Sequence, residues 1–263
     1  MELIRLQPGD LAVAALLVLI LALLSWRLHL GVGRRIIVAA VRSVVQLMLL
    51  GLVLKTLFAQ SNPGFIAAIA LFMLGIASYE VMARQQRRFI GAWGIGIGTL
   101  SMFVSSFSIT LLALHLVIHV EPWYTPQYLI PLLGMMLGNT MSGIAISLDN
   151  LTQNAWRQKG VIEGRLSLGE DWSTAIGDIR RDALRAGLIP IINMMAAAGV
   201  VSIPGMMTGQ ILAGSPPLEA AKYQLMILLM IAGGAGLGSI VAVWTGSRRL
   251  FDERQRLRLE RLG

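Results

Sequence analysis

Seven apolar runs of about membrane-crossing length alternate with short polar connections along this chain of 263 residues. The hydrocarbon core of a bilayer is about 30 Å thick and an α-helix rises about 1.5 Å per residue, so roughly 20 apolar residues span it. The runs cover approximately Leu11–Trp26, Ile36–Phe58, Phe65–Met82, Trp93–Ile118, Tyr128–Leu148, Ala186–Leu212 and Leu218–Trp244. The sequence therefore predicts an all-α polytopic membrane protein with about seven transmembrane helices.

The composition supports this class, because 56% of the residues are apolar and only 14% are charged. Such a chain could not cover a soluble core of its size with polar surface. It holds no cysteine, which excludes disulfides, thiolate catalysis and cysteine-based metal centres. We interpret residues 1–263 as a single transmembrane domain, with a polar stretch at about residues 150–186 and a basic C-terminal tail at about residues 247–263.

The basic residues fall in alternate connections. Arginines and lysines follow the first, third, fifth and seventh runs, whereas the other connections hold almost none. By the positive-inside rule, this alternation predicts that the N-terminus lies outside and the C-terminus in the cytoplasm. The first run could instead be a cleaved signal peptide. An anchor is the favoured interpretation, because no small-residue cleavage site is present and the arginines follow the run.

The polar stretch at about residues 150–186, called the polar element below, is predicted to be a cytoplasmic helix–glycine–helix unit. Gly169 fits the left-handed position that ends a helix, and Asp171 fits the start of the next helix, where the helix dipole favours acids. The first helix would continue the fifth transmembrane helix from about Tyr128 to Leu168. This continuity rests on the helical spacing of the apolar residues Leu148, Leu151, Ala155, Ile162 and Leu166.

The second helix of the polar element is predicted to be amphipathic. Trp172 and Ile176 begin an apolar face that continues through Ile179 and Ala183. The charged pairs Asp178/Arg181 and Asp182/Arg185 can bond at i,i+3 on another face. Such a helix could lie on anionic lipid or dock on a soluble partner. Docking is the favoured interpretation, because the polar face mixes acids with bases.

No phosphate-binding loop of the G-x-x-x-x-G-K-S/T type occurs in the sequence, which excludes ATP hydrolysis by that route. We therefore predict that the chain is not an enzyme and carries no cofactor of its own. Energy from ATP would have to come from a partner chain, which would bind the ATP and Mg²⁺.

Three segments together resemble the Fet-type iron-export ABC permease family, whose plant relatives are linked to aluminium tolerance. They are SIPGMMTGQILAG at residues 202–214, LIPLLGMMLGNTMSG at 129–143 and EGRLSLGEDWSTAI at 163–176, and the likeness runs from about Arg34 to Arg249. The resemblance implies a permease subunit that pairs with a separate cytosolic ABC ATPase. It also implies metal-ion efflux, for example of iron, across the bacterial inner membrane.

The polar element also resembles, more weakly, the E-A-A-x-x-x-G coupling motif of ABC importers. Glu163 and Gly169 match the spacing of that motif, whereas Gly164 and Arg165 replace its alanines. The likeness implies a docking role but not the importer class, so the direction of transport is implied by the Fet-type resemblance alone. The residues predicted to couple to the ATPase are Glu163, Arg165, Gly169, Asp171, Trp172 and Ile176.

Polar residues inside the apolar runs are candidates for lining a pathway, because each is costly in lipid without a partner or water. Pro204-Gly205 would interrupt the sixth run as a discontinuous helix, a re-entrant turn or a packing kink. The methionines beside it could be soft metal ligands or core filler. The pathway candidates are Arg42, Gln46, Glu80, Asn139, Asn193, Pro204, Met206, Met207 and Gln210.

Several polar residues also have simpler interpretations. Arg42 and Glu80 could form an interhelical salt bridge or extend to the headgroups. Asn139 could bond to a neighbouring backbone, and Asp149 is expected to be solvated. His115 and His119 lie at i,i+4, a spacing that could hold a metal. Histidines at the membrane interface are the favoured interpretation, and the metal ligands are left unassigned.

We predict a homodimer, because one chain would supply only half of a symmetric pathway. Membrane lipid would surround it, and no nucleic acid is expected. A secondary transporter driven by an ion gradient is the first alternative, but it would need acidic residues at mid-membrane and usually an inverted repeat, and the sequence shows neither. A membrane scaffold subunit with no pathway of its own is the second alternative, and the sequence leaves it open.

Overall fold

A computed structural model describes residues 7–59 and 62–263 of the chain. Within these residues the regular structure is helical, with only isolated β-bridges and no strand. The chain divides into two units, Met1–Gln60 and Ser61–Gly263. The predicted all-α class is therefore confirmed.

The first unit is a pair of helices, α1 (Pro8–Arg27) and α2 (Gly33–Phe58), that contact each other. Proline at the first helical position starts α1, where its missing N–H is not needed. Most apolar side chains described on both helices are exposed, as expected for helices that face lipid. Arg42 and Gln46 lie one turn apart on α2.

The second unit begins with α3 (Pro63–Ala83) and a long helical stretch, Ala92–Ile118. That stretch consists of α4 (Ala92–Met102), a π-helical turn, α5 (Ser108–Leu112) and a second π-helical turn at Ala113–Ile118. The unit continues through α6 (Pro126–Arg157), α7 (Lys159–Ser167), α8 (Trp172–Ala175), α9 (Gly177–Ala197), α10 (Gly205–Leu212) and α11 (Pro217–Arg249).

The core of the second unit lies where α6 packs against α9 and α11. Glycines make this contact close. A Cβ placed on Gly187 of α9 would lie 2.7 Å from the carbonyl oxygen of Gly143 on α6 and would collide with Ser147. Small residues allow such close packing in membranes, where burial of apolar surface gives helices no advantage over contact with lipid. The largest fully buried side chains of α6 are Leu133, Met136, Ile144, Leu148 and Leu151.

Six helical stretches of the described residues are long and apolar enough to cross a membrane. The seventh predicted span, Ala186–Leu212, is not one helix. It is divided between α9 and α10 by the irregular residues 198–204, in which Gly199 has a φ of +83° and donates its N–H to the Ser202 carbonyl. A packing kink within a continuous helix is therefore excluded, and the interruption begins before the predicted Pro204-Gly205 site.

The predicted continuous helix from Tyr128 to Leu168 is also wrong in one respect. It is interrupted at Gln158, whose φ of −102° and ψ of 24° end α6 and start α7. The apolar spacing nevertheless predicts the buried face well, because Ala155 before the break and Ile162 after it are both fully buried. The bend at Gln158 redirects the chain without changing the side that packs.

Candidate functional site: the polar element and its cleft

The turn between α7 and α8 is built as the sequence predicts. Leu168 caps α7, and Gly169 follows with a φ of +94°. The Gly169 N–H donates to the Leu166 carbonyl and the Glu170 N–H to the Arg165 carbonyl, both at 3.1 Å. These two bonds form a Schellman motif, which needs a left-handed residue and therefore favours glycine. The polar element thus has a defined, sharply turned end.

Asp171 begins the next helix. Its carboxylate accepts hydrogen bonds from the Ser173 N–H at 3.0 Å and from the Thr174 hydroxyl, so it is the N-cap of α8. The hydrogen bond from Thr174 is the main reason that the pKa of Asp171 is lowered. The predicted role of Asp171 at a helix start is confirmed, although α8 is only one turn long and α9 starts separately at Gly177.

An ion pair joins the two sides of the polar element. The Arg165 guanidinium on α7 lies 2.9 Å from the carboxylate of Asp178 on α9. Arg181 also pairs with Asp178. The hydrogen bond from Arg165 is the largest cause of the lowered pKa of Asp178, and the hydrogen bond from Arg181 is the second. The predicted Asp182/Arg185 pair forms at 3.2 Å. Arg165 therefore joins α7 to α9 through an ion pair, a contact that the sequence pattern did not predict.

Trp172 and Ile176 face inward. Ile176 is fully buried, and the Trp172 ring lies 5.7 Å from the Phe251 ring, centroid to centroid. The backbone N–H of Trp172 donates to the Gln255 side chain at 2.9 Å. The Arg248 guanidinium lies 5.3 Å from the centroid of the Trp172 ring. These two residues hold the polar element on the rest of the unit.

The C-terminal segment, residues 250–263, folds back instead of extending as a basic tail. Asp252 anchors it by accepting the Arg256 N–H at 2.9 Å and pairing with the Arg256 and Arg258 side chains. The Arg256 backbone bond is the first cause that lowers the pKa of Asp252 to about 2. Arg88 and Gly263 exchange two backbone hydrogen bonds, of 2.8 and 3.1 Å. The segment therefore links the α3–α4 loop to the polar element.

The α3–α4 loop is also held by α6. Asp149 accepts the Gln86 N–H at 2.7 Å and the Gln153 side chain at 2.6 Å, so the expectation that Asp149 is merely solvated is wrong. The Arg87 guanidinium lies 3.8 Å over the Trp156 ring, close enough for a cation–π contact. Loop, polar element and C-terminal segment thus form one continuous polar face.

A cleft of about 920 Å³ opens in this face between the polar element and the C-terminal segment. Its walls carry opposite charges. The polar element contributes three acids, Glu163, Glu170 and Asp171, and the C-terminal segment contributes three arginines and one acid, Arg254, Arg256, Arg258 and Glu253. Of the predicted coupling residues, Glu163, Gly169 and Asp171 line the cleft, whereas Arg165, Trp172 and Ile176 support it from within.

Leu168 is the residue that the sequence reasoning missed. Its side chain is 86% exposed at the tip of the turn, directly before Gly169. It stands two residues after Leu166, and therefore roughly 200° around the helix from the inward face. This offset could have indicated an exposed apolar side chain, because an apolar residue on the outer side of a polar helix end has no partner within its own helix.

The pathway candidates of the second unit occupy α3, α6, α9 and α10. Glu80 on α3 lies 4.0 Å from Arg84 on the same helix. Asn139 donates to the Met135 carbonyl of its own helix at 2.8 Å, which is the simpler of its two predicted roles. Asn193 is exposed, and the buried Oε1 of Gln210 has no hydrogen-bond partner. In the described part of the chain no hydrogen bond joins these three amides to one another.

The irregular segment carries the other candidates. Pro204 precedes α10 as its N-cap, and Met206 and Met207 are half-buried in the first turn of that helix. Among residues 7–59 and 62–263, no group of three or more histidine, aspartate or glutamate residues could hold a metal ion. His115 and His119 do not share a regular helix face, because the backbone between them is π-helical and His119 is left-handed.

Comparison with known proteins gives consistent matches over nearly the whole chain. The model of the family described as "Uncharacterised protein family (UPF0014)" matches residues 8–251. The UPF0014 membrane protein slr1647 of Synechocystis sp. is 36% identical over 239 residues, which cover 90% of each chain. The probable iron export permease protein FetB of Escherichia coli is 32% identical over 255 residues, which cover 94% of this chain and 93% of FetB.

A plant protein matches as well. The protein ALUMINUM SENSITIVE 3 of Arabidopsis thaliana is 33% identical over 233 residues, which cover 89% of this chain and 83% of the plant protein. No solved structure matches the chain. The matched region includes the polar element and the interrupted sixth span, whereas most of the C-terminal segment lies beyond residue 251.

Proposed function

The chain belongs to the UPF0014 family, and from that premise we propose that it is the permease subunit of an ABC transporter that exports metal ions such as iron. A separate cytosolic ATPase would supply the energy. The complex would contain two copies of this chain in a bacterial cytoplasmic membrane, and its polar face would lie in the cytoplasm.

The structure of the polar element is the observation that supports the proposal of an ATPase partner. It is joined to membrane helices at both ends, through α7 to α6 and directly into α9. The Gly169 turn, the Arg165–Asp178 ion pair and the buried Ile176 stiffen it. Its tip nevertheless presents an exposed leucine beside a charged cleft. A stiff lever with an unpartnered apolar tip suits transmission of force from a docked protein.

The ATPase is placed on another chain because this sequence contains no phosphate-binding loop. ATP and Mg²⁺ would bind to that partner. Closure of two ATPase subunits would displace the polar element and, through it, α9. Since α9 ends at the irregular residues 198–204, its movement would reach the interrupted span directly.

The interrupted span is the best-placed pathway element. Irregular backbone is tolerated at membrane depth only where it faces protein or a water-filled cavity. Residues 198–204 would face a water-filled cavity if a second copy of the chain completes the pathway. The exposed face of α9 and the segment after it includes Ile192, Asn193 and Val201, and a partner subunit would cover it in the dimer.

Iron is proposed as cargo because FetB is named a probable iron export permease. The methionines and amides near residues 198–210 are the groups that would meet it, although thioethers bind hard cations weakly. Weak ligands fit a transported ion, which must leave its site in every cycle.

Iron movement in sealed vesicles tests the cargo and the direction. Inside-out vesicles that contain the chain and its ATPase should accumulate Fe²⁺ when ATP is added. Vesicles with a P-loop lysine variant of the ATPase should not. ATP-dependent movement of another metal instead of iron would support the assignment as an ABC permease but would exclude iron as the cargo. Iron movement that follows a proton gradient without ATP would favour a secondary transporter.

A further inference from the structure

A second pocket, of about 330 Å³, lies where α4 begins and α11 ends. Trp93 and Trp244 line it, with indoles that are 50% and 59% exposed. Arg248 and Arg249, the last two residues of α11, line it as well. Both helical stretches are membrane-spanning candidates, so the pocket lies at a membrane surface, on the side of the polar element. Tryptophan is enriched at this depth.

The arginines of this pocket lack carboxylate partners. The Arg249 guanidinium lies 4.5 Å over the Trp93 ring, and its buried Nε has no hydrogen-bond partner. Arg261, the third arginine here, donates to the backbone carbonyls of Arg249 and Phe251. Across residues 7–59 and 62–263, none of the three forms an ion pair with an acidic side chain.

The acidic residues that share the pocket do not neutralise it. Asp252 is held by Arg256 and Arg258, which lie outside the pocket lining. Glu253 is exposed and also faces the cleft beside the polar element. The pocket therefore presents an excess of positive charge, because three arginines line it against two carboxylates.

An apolar stripe leads from the pocket into the membrane. Leu237, Ile240 and Trp244 lie at helical spacing on one face of α11, and all three are about half-exposed or more. A ligand with a phosphate at one end and a hydrocarbon chain at the other would match both the pocket and the stripe.

We propose that the Trp93–Trp244–Arg249 pocket binds the phosphate headgroup of an anionic phospholipid from the leaflet on the polar element's side. Basic pockets between membrane helices are suited to such headgroups. The acyl chains would lie along Leu237 and Ile240. The inference requires that the chain spans a membrane, and it is independent of the ATPase and of the cargo.

Fluorescence quenching by brominated lipids tests this site in the purified full-length chain. A variant that keeps Trp93 and Trp244, the two tryptophans of the pocket, and has phenylalanine at the other four reports on the pocket. Brominated phosphatidylglycerol should associate with it about five-fold more strongly than brominated phosphatidylcholine, as about 1 kcal/mol per engaged arginine implies. A variant that keeps only Trp123, which lies on the α5–α6 connection, should show a ratio of about one.

Charge substitutions identify the group responsible. Arg249→Gln should bring the ratio at the two pocket tryptophans close to one, whereas Arg249→Lys should retain most of the preference. Arg254→Gln is the matched control, because Arg254 belongs to the same polar face but does not line this pocket. Its ratio should equal that of the parent. Retention of the full preference in both Arg249→Gln and Arg248→Gln would overturn the proposal.

Inorganic phosphate separates a lipid site from a site for a small anion. At constant ionic strength, millimolar phosphate should leave the phosphatidylglycerol preference unchanged. Loss of the preference under this condition would overturn the lipid assignment in favour of a soluble phosphate. Equal quenching by the two lipids in the variant that keeps Trp93 and Trp244 would overturn the site altogether.

Discussion

Leu168 and Gly169 are neighbours at the end of α7, but they contribute in different ways. Gly169 supplies the backbone conformation of the turn, and Leu168 supplies its exposed surface. Substitutions at the two positions should therefore separate the stability of the polar element from its affinity for a partner.

Gly169→Ala should destabilise the turn by about 1–2 kcal/mol, because a φ of +94° is strained for a residue with a Cβ. No atom lies within 4 Å of the added Cβ, so the effect comes from the backbone alone. Thermal unfolding should show the loss, and stimulation of the ATPase should fall with it. Gly164→Ala is the matched control, because Gly164 is helical and equally unhindered. Equal stability of the two variants would contradict the assigned role of Gly169.

Leu168→Ser should leave the stability of the chain within about 0.5 kcal/mol of the parent, because an exposed side chain loses no packing. The affinity for the ATPase should fall about tenfold, as expected for an apolar anchor at an interface. Titration of labelled ATPase into the purified chain measures it. Leu218→Ser, at an exposed residue in the first turn of α11, should bind like the parent. An unchanged affinity in Leu168→Ser would mean that Leu168 is not part of the docking surface.

At the scale of elements, the sequence was informative wherever local rules decide the structure. Helical periodicity predicted the buried face that includes Leu148 and Ile162, because a helix repeats its contacts every few residues. The Gly169 turn and the Asp171 cap followed from the conformational preferences of these residue types. Each of these features depends on neighbours within about five positions.

The parts that could not be predicted depend on distant residues. The Trp172 N–H and the Gln255 side chain that bonds to it are 83 positions apart. Arg88 and Gly263 pair across an even longer stretch of chain. The arginines of the C-terminal segment therefore read as a solvated basic tail, although Asp252 organises them into a folded turn. Likewise, the break falls at Gln158, which is itself neither proline nor glycine.

Gly187→Ala should destabilise the α6–α9 contact by about 1–3 kcal/mol, because the new Cβ would lie 2.7 Å from the Gly143 carbonyl and would collide with Ser147. Thermal unfolding in detergent measures the effect. Gly209→Ala on α10 adds the same methyl where no atom lies within 4 Å. It should be neutral or stabilise by a few tenths of a kcal/mol. A Gly187→Ala variant as stable as Gly209→Ala would mean that the helices do not pack this closely.

The C-terminal segment should open in acid. Because the folded pKa of Asp252 is lowered to about 2, the stabilisation is complete above the unfolded pKa and is lost as the pH falls through about 2. Pepsin cleavage within residues 250–263, normalised to a peptide of the same sequence, should therefore accelerate strongly between about pH 4 and pH 2. Asp252→Asn should be cut rapidly at both pH values. A parent rate that is independent of pH would contradict the anchoring role of Asp252.

At the scale of the molecule, the second unit connects the polar face to the interrupted span through a short route. α6 and α9 pack on each other and are joined by α7 and α8 on the polar side. A force applied at Leu168 therefore acts on two packed helices, one of which ends at residues 198–204. This connection is the physical basis for assigning a transport role to a chain that has no nucleotide site.

An ABC ATPase that docks on the polar element and is regulated by this chain should hydrolyse ATP faster when the chain is present. ATP hydrolysis by the purified ATPase in lipid bilayers tests this, with and without the chain and with the Gly169→Ala and Leu168→Ser variants. We expect hydrolysis to rise several-fold with the parent chain, by less with either variant, and again in full with Gly164→Ala. Hydrolysis that is the same with and without the parent chain would contradict this expectation.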